Sequence, residues 1–88
     1  MNVRKIIGWN LRKLRVEQGL SQERLALAAN IDRSYVGRVE RGSENVTIDT
    51  LEAMATALTV PVSILLTEPA KGAHEPAPLS SGRKPKKG

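Results

Sequence analysis

SQERLALAANIDRSYVGRVERG, residues 21–42, reads as two short helices joined by a tight turn. Ser21 is placed to cap the first, its hydroxyl accepting from a backbone N–H that has no partner inside the helix. Glu23 follows in the first turn, where the helix dipole favours an acid. Leu25, Ala26 and Ala29 fall on one side, and the small Ala26 is where a crossing helix is expected to come close. Asn30 supplies the left-handed conformation that a sharp turn demands, and Asn is among the few residues that adopt it readily. Ile31 then plugs the turn into the core. Asp32 caps the second helix, expected over about residues 33–41, and Gly42 ends it.

Val36 and Val39, three residues apart, form the buried stripe of this second helix. Arg33, Ser34, Gly37 and Arg38 are left on the other side. A helix of this diameter fits the major groove of B-DNA, with its N-terminal residues nearest the base edges. The stretch is therefore a helix-turn-helix. Arg33 and Arg38 are the expected base readers, since a guanidinium can make two hydrogen bonds to guanine. Ser34 is expected to contact a base or a phosphate. Tyr35 either donates its hydroxyl to a phosphate or packs against the first helix. Gly37 is expected to leave a bare surface that lets the helix sit deep. Gln22 sits where the first helix presents its N-terminal N–H groups and is expected to hold a phosphate.

The run GLSQERLALAANIDRSYVGRVERGSENVTIDTLEAMATAL resembles the Cro/CI-type (XRE) helix-turn-helix family of bacterial and phage regulators. Within it, DRSYV and NVTIDTLE are similar to the restriction–modification controller proteins, a branch of small dimers. The likeness covers roughly residues 3–67, and Asn30 stands where the family often has Gly. It implies an all-α, five-helix lambda-repressor-like DNA-binding domain over residues 1–68. It also implies an internal ion pair between Arg15 and Glu40, which would tie the first helix to the end of the recognition helix. Breaking such a pair costs roughly 3–5 kcal/mol if it is buried and about 0.5 kcal/mol if it is exposed. Arg41, Ser43 and Asn45 match the family segment that grips phosphate. Glu44, between the last two, departs from it: either it points away, or this loop contacts DNA weakly.

Outside the motif, Val3, Ile7, Leu11 and Leu14 form one apolar stripe of helical period, so a first helix is expected over residues 3–18. Trp9 lies off the stripe and reads as a half-buried packing residue. Thr47 caps a fourth helix, with Ile48, Leu51, Met54, Ala55 and Leu58 on its inner face. Pro61 opens a short fifth helix. There Val62, Ile64, Leu65 and Leu66 are expected to close the core and, following the resemblance, to form a two-fold dimer contact.

The overall charge of +5 is unevenly placed. Residues 1–68 carry nine Arg/Lys against eight Asp/Glu, whereas residues 69–88 carry five against one. Net basicity therefore says nothing about the folded part; what matters there is where its charges sit. From Pro69 the chain turns rich in Pro, Gly and Lys without apolar period, so a disordered basic tail is expected. Its RKPKK cluster either raises DNA affinity through counterion release without reading sequence or serves as a solubilising end.

The 88 residues suit one small domain. With no cysteine, a disulfide framework and thiolate metal sites are excluded. The one histidine, His74, falls in the tail, which argues against a catalytic triad, and no phosphate-binding glycine loop is present. No enzyme activity, cofactor, metal or small-molecule ligand is expected. No apolar run approaches the roughly 20 residues of a membrane span, and MNVRKIIGWN lacks a secretion signal, so a cytoplasmic location is expected. The expected partners are a double-stranded DNA operator and a second copy of the chain. An antitoxin or protein-interaction module built on the same helices is the alternative; it predicts a protein partner. RNA binding is disfavoured, because Trp9 and Tyr35 are the only aromatics available for stacking on bases.

Overall fold

The computed structural model describes residues 1–70. It contains five helices: α1 Val3–Glu17, α2 Gln22–Ala29, α3 Arg33–Glu40, α4 Ile48–Leu58 and α5 Val62–Leu65. There is no strand among the described residues. No helix of the described residues is long and apolar enough to cross a membrane. The tail expected to be disordered lies, from residue 71 on, outside the described residues.

Each of the first four helices starts on a side-chain cap. Asn2 Oδ1 accepts from Lys5 N at 3.0 Å, and Ser21 Oγ accepts from Arg24 N at 3.0 Å. Asp32 Oδ2 accepts from Ser34 N at 3.0 Å, and Thr47 Oγ1 accepts from Thr50 N at 3.2 Å. Pro61 occupies the cap of α5, one residue earlier than the first helical position expected for it. The same four helices end alike. A residue with positive φ follows the last turn: Gly19 (72°), Asn30 (60°), Gly42 (76°) and Thr59 (60°). The next N–H then reaches back five residues: Leu20 to Arg15 O, Ile31 to Ala26 O, Ser43 to Arg38 O and Val60 to Ala55 O, at 2.9–3.1 Å. This double closure satisfies carbonyls the helix leaves unpaired and folds Leu20, Ile31 and Val60 onto the core.

Thr59 is the misfit in this series. A β-branched side chain in the left-handed region is strained by roughly 1–2 kcal/mol, and Thr59 is exposed, so its side chain gains little in return. Thr59→Gly is expected to raise stability by about 1 kcal/mol, read as a later urea midpoint. A midpoint that stays put or falls would contradict this.

The core joins Ile7 and Leu11 of α1, Leu25, Ala26 and Ala29 of α2, Val36 and Val39 of α3, Leu51, Met54, Ala55 and Leu58 of α4, and Leu65 of α5. α3 lies between α1 and α2, α4 packs on α2, and α5 closes against α1 and α4. Two expected stripe residues are outside. Val3 is exposed, and Ile48 is 83% exposed. Both are the first residue of their helix. Periodicity gives the direction of a side chain around the axis, but not how far along it the neighbouring helices extend.

Leu65 requires a correction. It is fully buried inside the protomer and so cannot face a second copy. Val62 is also partly covered, whereas Ile64 (40%) and Leu66 (44%) remain exposed. A four-residue helix has one inward side, and Leu65 takes it.

Polar side chains of α1 and of its C-cap Gln18 lock the far end of the fold. The nearly buried Asn10 donates to Leu65 O at 3.0 Å and Thr67 O at 2.8 Å. Gln18 Nε2 donates to Leu58 O at 2.9 Å. These bonds pair carbonyls at the ends of α4 and α5 that would otherwise be left open.

Candidate nucleic-acid interface

The outer side of α3 is set by what its inner side buries. Val36 and Val39 are sealed in the core, which turns Arg33 and Ser34 to the outside and leaves Arg38 half-exposed. Arg41 is the C-cap of α3 rather than its last helical residue. Arg41, Ser43 and Asn45 are exposed along the loop that leads to α4. Arg33, Ser34, Arg38 and this loop thus share one flank of the molecule, the one at which α3 begins and ends.

The N-terminus of α3 carries a small hydrogen-bonded network. Asp32 accepts from both the backbone N–H and the hydroxyl of Ser34. These two bonds hold the Asp32 carboxyl below its usual range, so it stays ionised. With its proton given to Asp32, Ser34 Oγ presents an acceptor. It receives Arg38 Nη1 at 3.4 Å.

Arg38 is held on three sides. Its Nε donates to Glu44 Oε1 at 2.7 Å, its Nη1 meets Ser34, and its guanidinium lies 5.6 Å from the centre of the Tyr35 ring. The Glu44 carboxylate raises the Arg38 pKa above the ordinary arginine value. Glu44 turns back onto Arg38. No periodicity signals this contact, because it forms across a turn. Tyr35 is half-buried with its ring against the core, so packing accounts for the ring, and the cation rests over it.

Gly37 is not the bare surface expected. It is buried. A Cβ built there would lie 3.5 Å from Arg41 Nη1 and 3.8 Å from Gln22 Oε1, which are ordinary contacts. The side chains of Arg41 and Gln22 fold over it. Gln22 is engaged elsewhere as well: its Nε2 donates to Glu40 Oε1 at 3.0 Å. The Gln22 amide nitrogen carries a second hydrogen besides the one given to Glu40.

Behind this flank, Arg15 and Glu40 form a two-pronged ion pair. Arg15 Nε meets Glu40 Oε2 at 2.5 Å and Nη2 meets Oε1 at 3.0 Å, while Nη1 donates to Leu20 O at 2.7 Å. Both side chains are 5% exposed. The pair fastens α1 to the end of α3, and Gln22 adds α2 to the same carboxylate.

The close approach that lets α1 lie on α3 is made by Gly8, which sequence reasoning missed. A Cβ at Gly8 would fall 2.4 Å from Val39 O and 2.8 Å from Glu40 O. The signal was available: glycine inside a helix costs about 1 kcal/mol relative to alanine, so its presence asks for a packing reason. Asn10 was signalled as well, as a polar residue inside the Ile7–Leu14 stripe.

A family description of helix-turn-helix proteins, HTH_3, matches residues 11–65. The control protein C.SmaI of Serratia marcescens is 43% identical over 67 residues, which cover 76% of this chain and 80% of that protein. A hypothetical transcription factor of Neisseria meningitidis is 41% identical over 68 residues, covering 77% of this chain but 64% of the longer Neisseria protein. Among solved structures, the restriction–modification controller protein C.AhdI from Aeromonas hydrophila superposes with a TM-score of 0.69 at 47% identity, covering 70% of this chain and 94% of that one. The match over α2 and α3 and the surface built on them agree, and the chain belongs to the HTH_3 helix-turn-helix family, the Cro/CI (XRE) type of DNA-binding transcription regulators.

Proposed function

We propose that this regulator binds a short two-fold symmetric operator as a homodimer in the cytoplasm, with α3 of each protomer in successive major grooves about 34 Å apart. The observation that carries the reading is the outward side of α3, where Arg33, Ser34 and Arg38 stand together while Val36 and Val39 anchor the helix from behind. Arg33 and Arg38 read bases, and Ser34 accepts from one. The hydroxyl of Tyr35, the remaining amide hydrogen of Gln22, and Arg41, Ser43 and Asn45 run along the phosphates. Ile64 and Leu66 supply the apolar part of the dimer seam. No cofactor, metal or small-molecule ligand enters the reading, so occupancy follows protein concentration through dimerisation.

Arg33→Ala is expected to weaken specific binding by roughly 1–3 kcal/mol and to relax preference at one position per half-site. Titrating the variant against operator duplexes altered at single positions checks it. An equal loss on every sequence would make Arg33 a phosphate contact instead. Deleting residues 69–88 is expected to keep the base preference and to make the dependence of affinity on salt shallower. An unchanged salt slope would exclude the tail from binding.

A further inference from the structure

The loop that carries Glu44 is fastened to the residue Glu44 touches. Ser43 N and Ser43 Oγ both donate to Arg38 O, at 3.1 and 3.2 Å. Gly42, at φ 76°, turns the chain so that this can happen. The carboxylate therefore returns to Arg38 along a short, bonded path, and it engages Nε. A guanidinium bound at Nε keeps its far edge, Nη1 and Nη2, with N–H groups in the spacing that meets guanine O6 and N7. The Tyr35 ring and Ser34 Oγ confine the same group from two further sides.

We propose that Glu44 is a positioning residue for base reading: by holding Arg38 at Nε it presets the outer edge of the guanidinium for a guanine. The inference rests on the reading that Arg38 faces bases in the major groove. Holding the side chain in advance removes ordering cost from the specific complex. An acid beside the phosphates at the same time opposes binding to every sequence. Glu44 thus exchanges raw affinity for discrimination, which gives an acid a purpose in a loop that otherwise suits phosphate.

The full chain and the variants Glu44→Ala, Glu44→Gln, Arg38→Ala and Arg38→Ala/Glu44→Ala are titrated against three kinds of duplex. These are the operator, operators altered at single positions, and a random sequence. Circular dichroism confirms that each exposed-site variant is folded. Arg38→Ala should flatten preference at one position per half-site, which identifies the base pair. Glu44→Ala should bind random duplex several-fold more tightly and lower the preference at that same position by about tenfold, a large part of what a two-bond guanine contact supplies. Glu44→Gln also loses the charge but keeps an acceptor for Nε, and should retain more of that preference than Glu44→Ala. In the Arg38→Ala background, Glu44→Ala should change all affinities by one common factor. If Arg38→Ala flattens a position and Glu44→Ala leaves it sharp, the inference is overturned and the reading of α3 survives. If Arg38→Ala leaves every position sharp, that reading fails for Arg38, and the role of Glu44 fails with it.

Discussion

Arg15→Ala is expected to cost about 3–5 kcal/mol of folding stability, most of what a domain this small possesses. The substitution strands a buried carboxylate. Glu40 is 5% exposed, so water cannot replace the two guanidinium bonds it would lose, and Gln22 alone remains as a donor. Leu20 O, which ends the turn between α1 and α2, loses its partner as well. Urea unfolding of the two proteins reads the difference. A loss below about 1 kcal/mol would mean the pair behaves as an exposed one. Replacing both partners together by apolar residues of similar volume, Arg15→Met with Glu40→Leu, should recover most of the loss, because no charge is then stranded. Stability should also respond little to salt, since a buried pair is poorly screened.

Gly8→Ala is expected to be the next most damaging change. Its Cβ would sit 2.4 Å from one backbone oxygen of α3 and 2.8 Å from another. Neither is the end of a side chain that could swing aside, so α1 must lift from α3 and drag the Arg15–Glu40 pair with it. Overpacking of this kind costs about 3 kcal/mol or more, offset by about 1 kcal/mol of better helix propensity. The net loss of about 2 kcal/mol corresponds to a fall in Tm of roughly 8–16 °C. Gly37→Ala serves as the control. There the added carbon meets only side-chain atoms at 3.5 Å and beyond, so propensity decides and stability should hold or rise slightly. If both substitutions had the same effect on Tm, the close approach at Gly8 would not be the cause.

The contrast between these glycines shows what the sequence could and could not tell. Ser21, Asp32 and Thr47 announced three helix starts, and Asn30 and Gly42 two ends, because capping is a local interaction between residues a few positions apart. The stripes Ile7–Leu11 and Val36–Val39 were legible for the same reason. Thr59 was not, since a β-branched residue is a poor sign of a left-handed turn. Contacts between distant segments were hidden. Nothing in the spacing links Asn10 to Leu65, or Gly8 to Val39 and Glu40. Glu44 looked out of place in a phosphate-binding loop because only the turn at Gly42 brings it back to Arg38. Leu65 and Leu66 are equivalent by hydropathy, and only the docking of α5 on α1 and α4 separates the buried one from the exposed one.

The outward side of α3 is the surface on which the functional account stands. Selecting duplexes bound by the full chain from a random pool, in parallel with Arg33→Ala, tests it most directly. The expected result is a two-fold symmetric site with half-site centres about one helical turn apart, and loss of preference at one position per half-site in the variant. Enrichment of no sequence by the full chain, or the same motif recovered undiminished with Arg33→Ala, would contradict it.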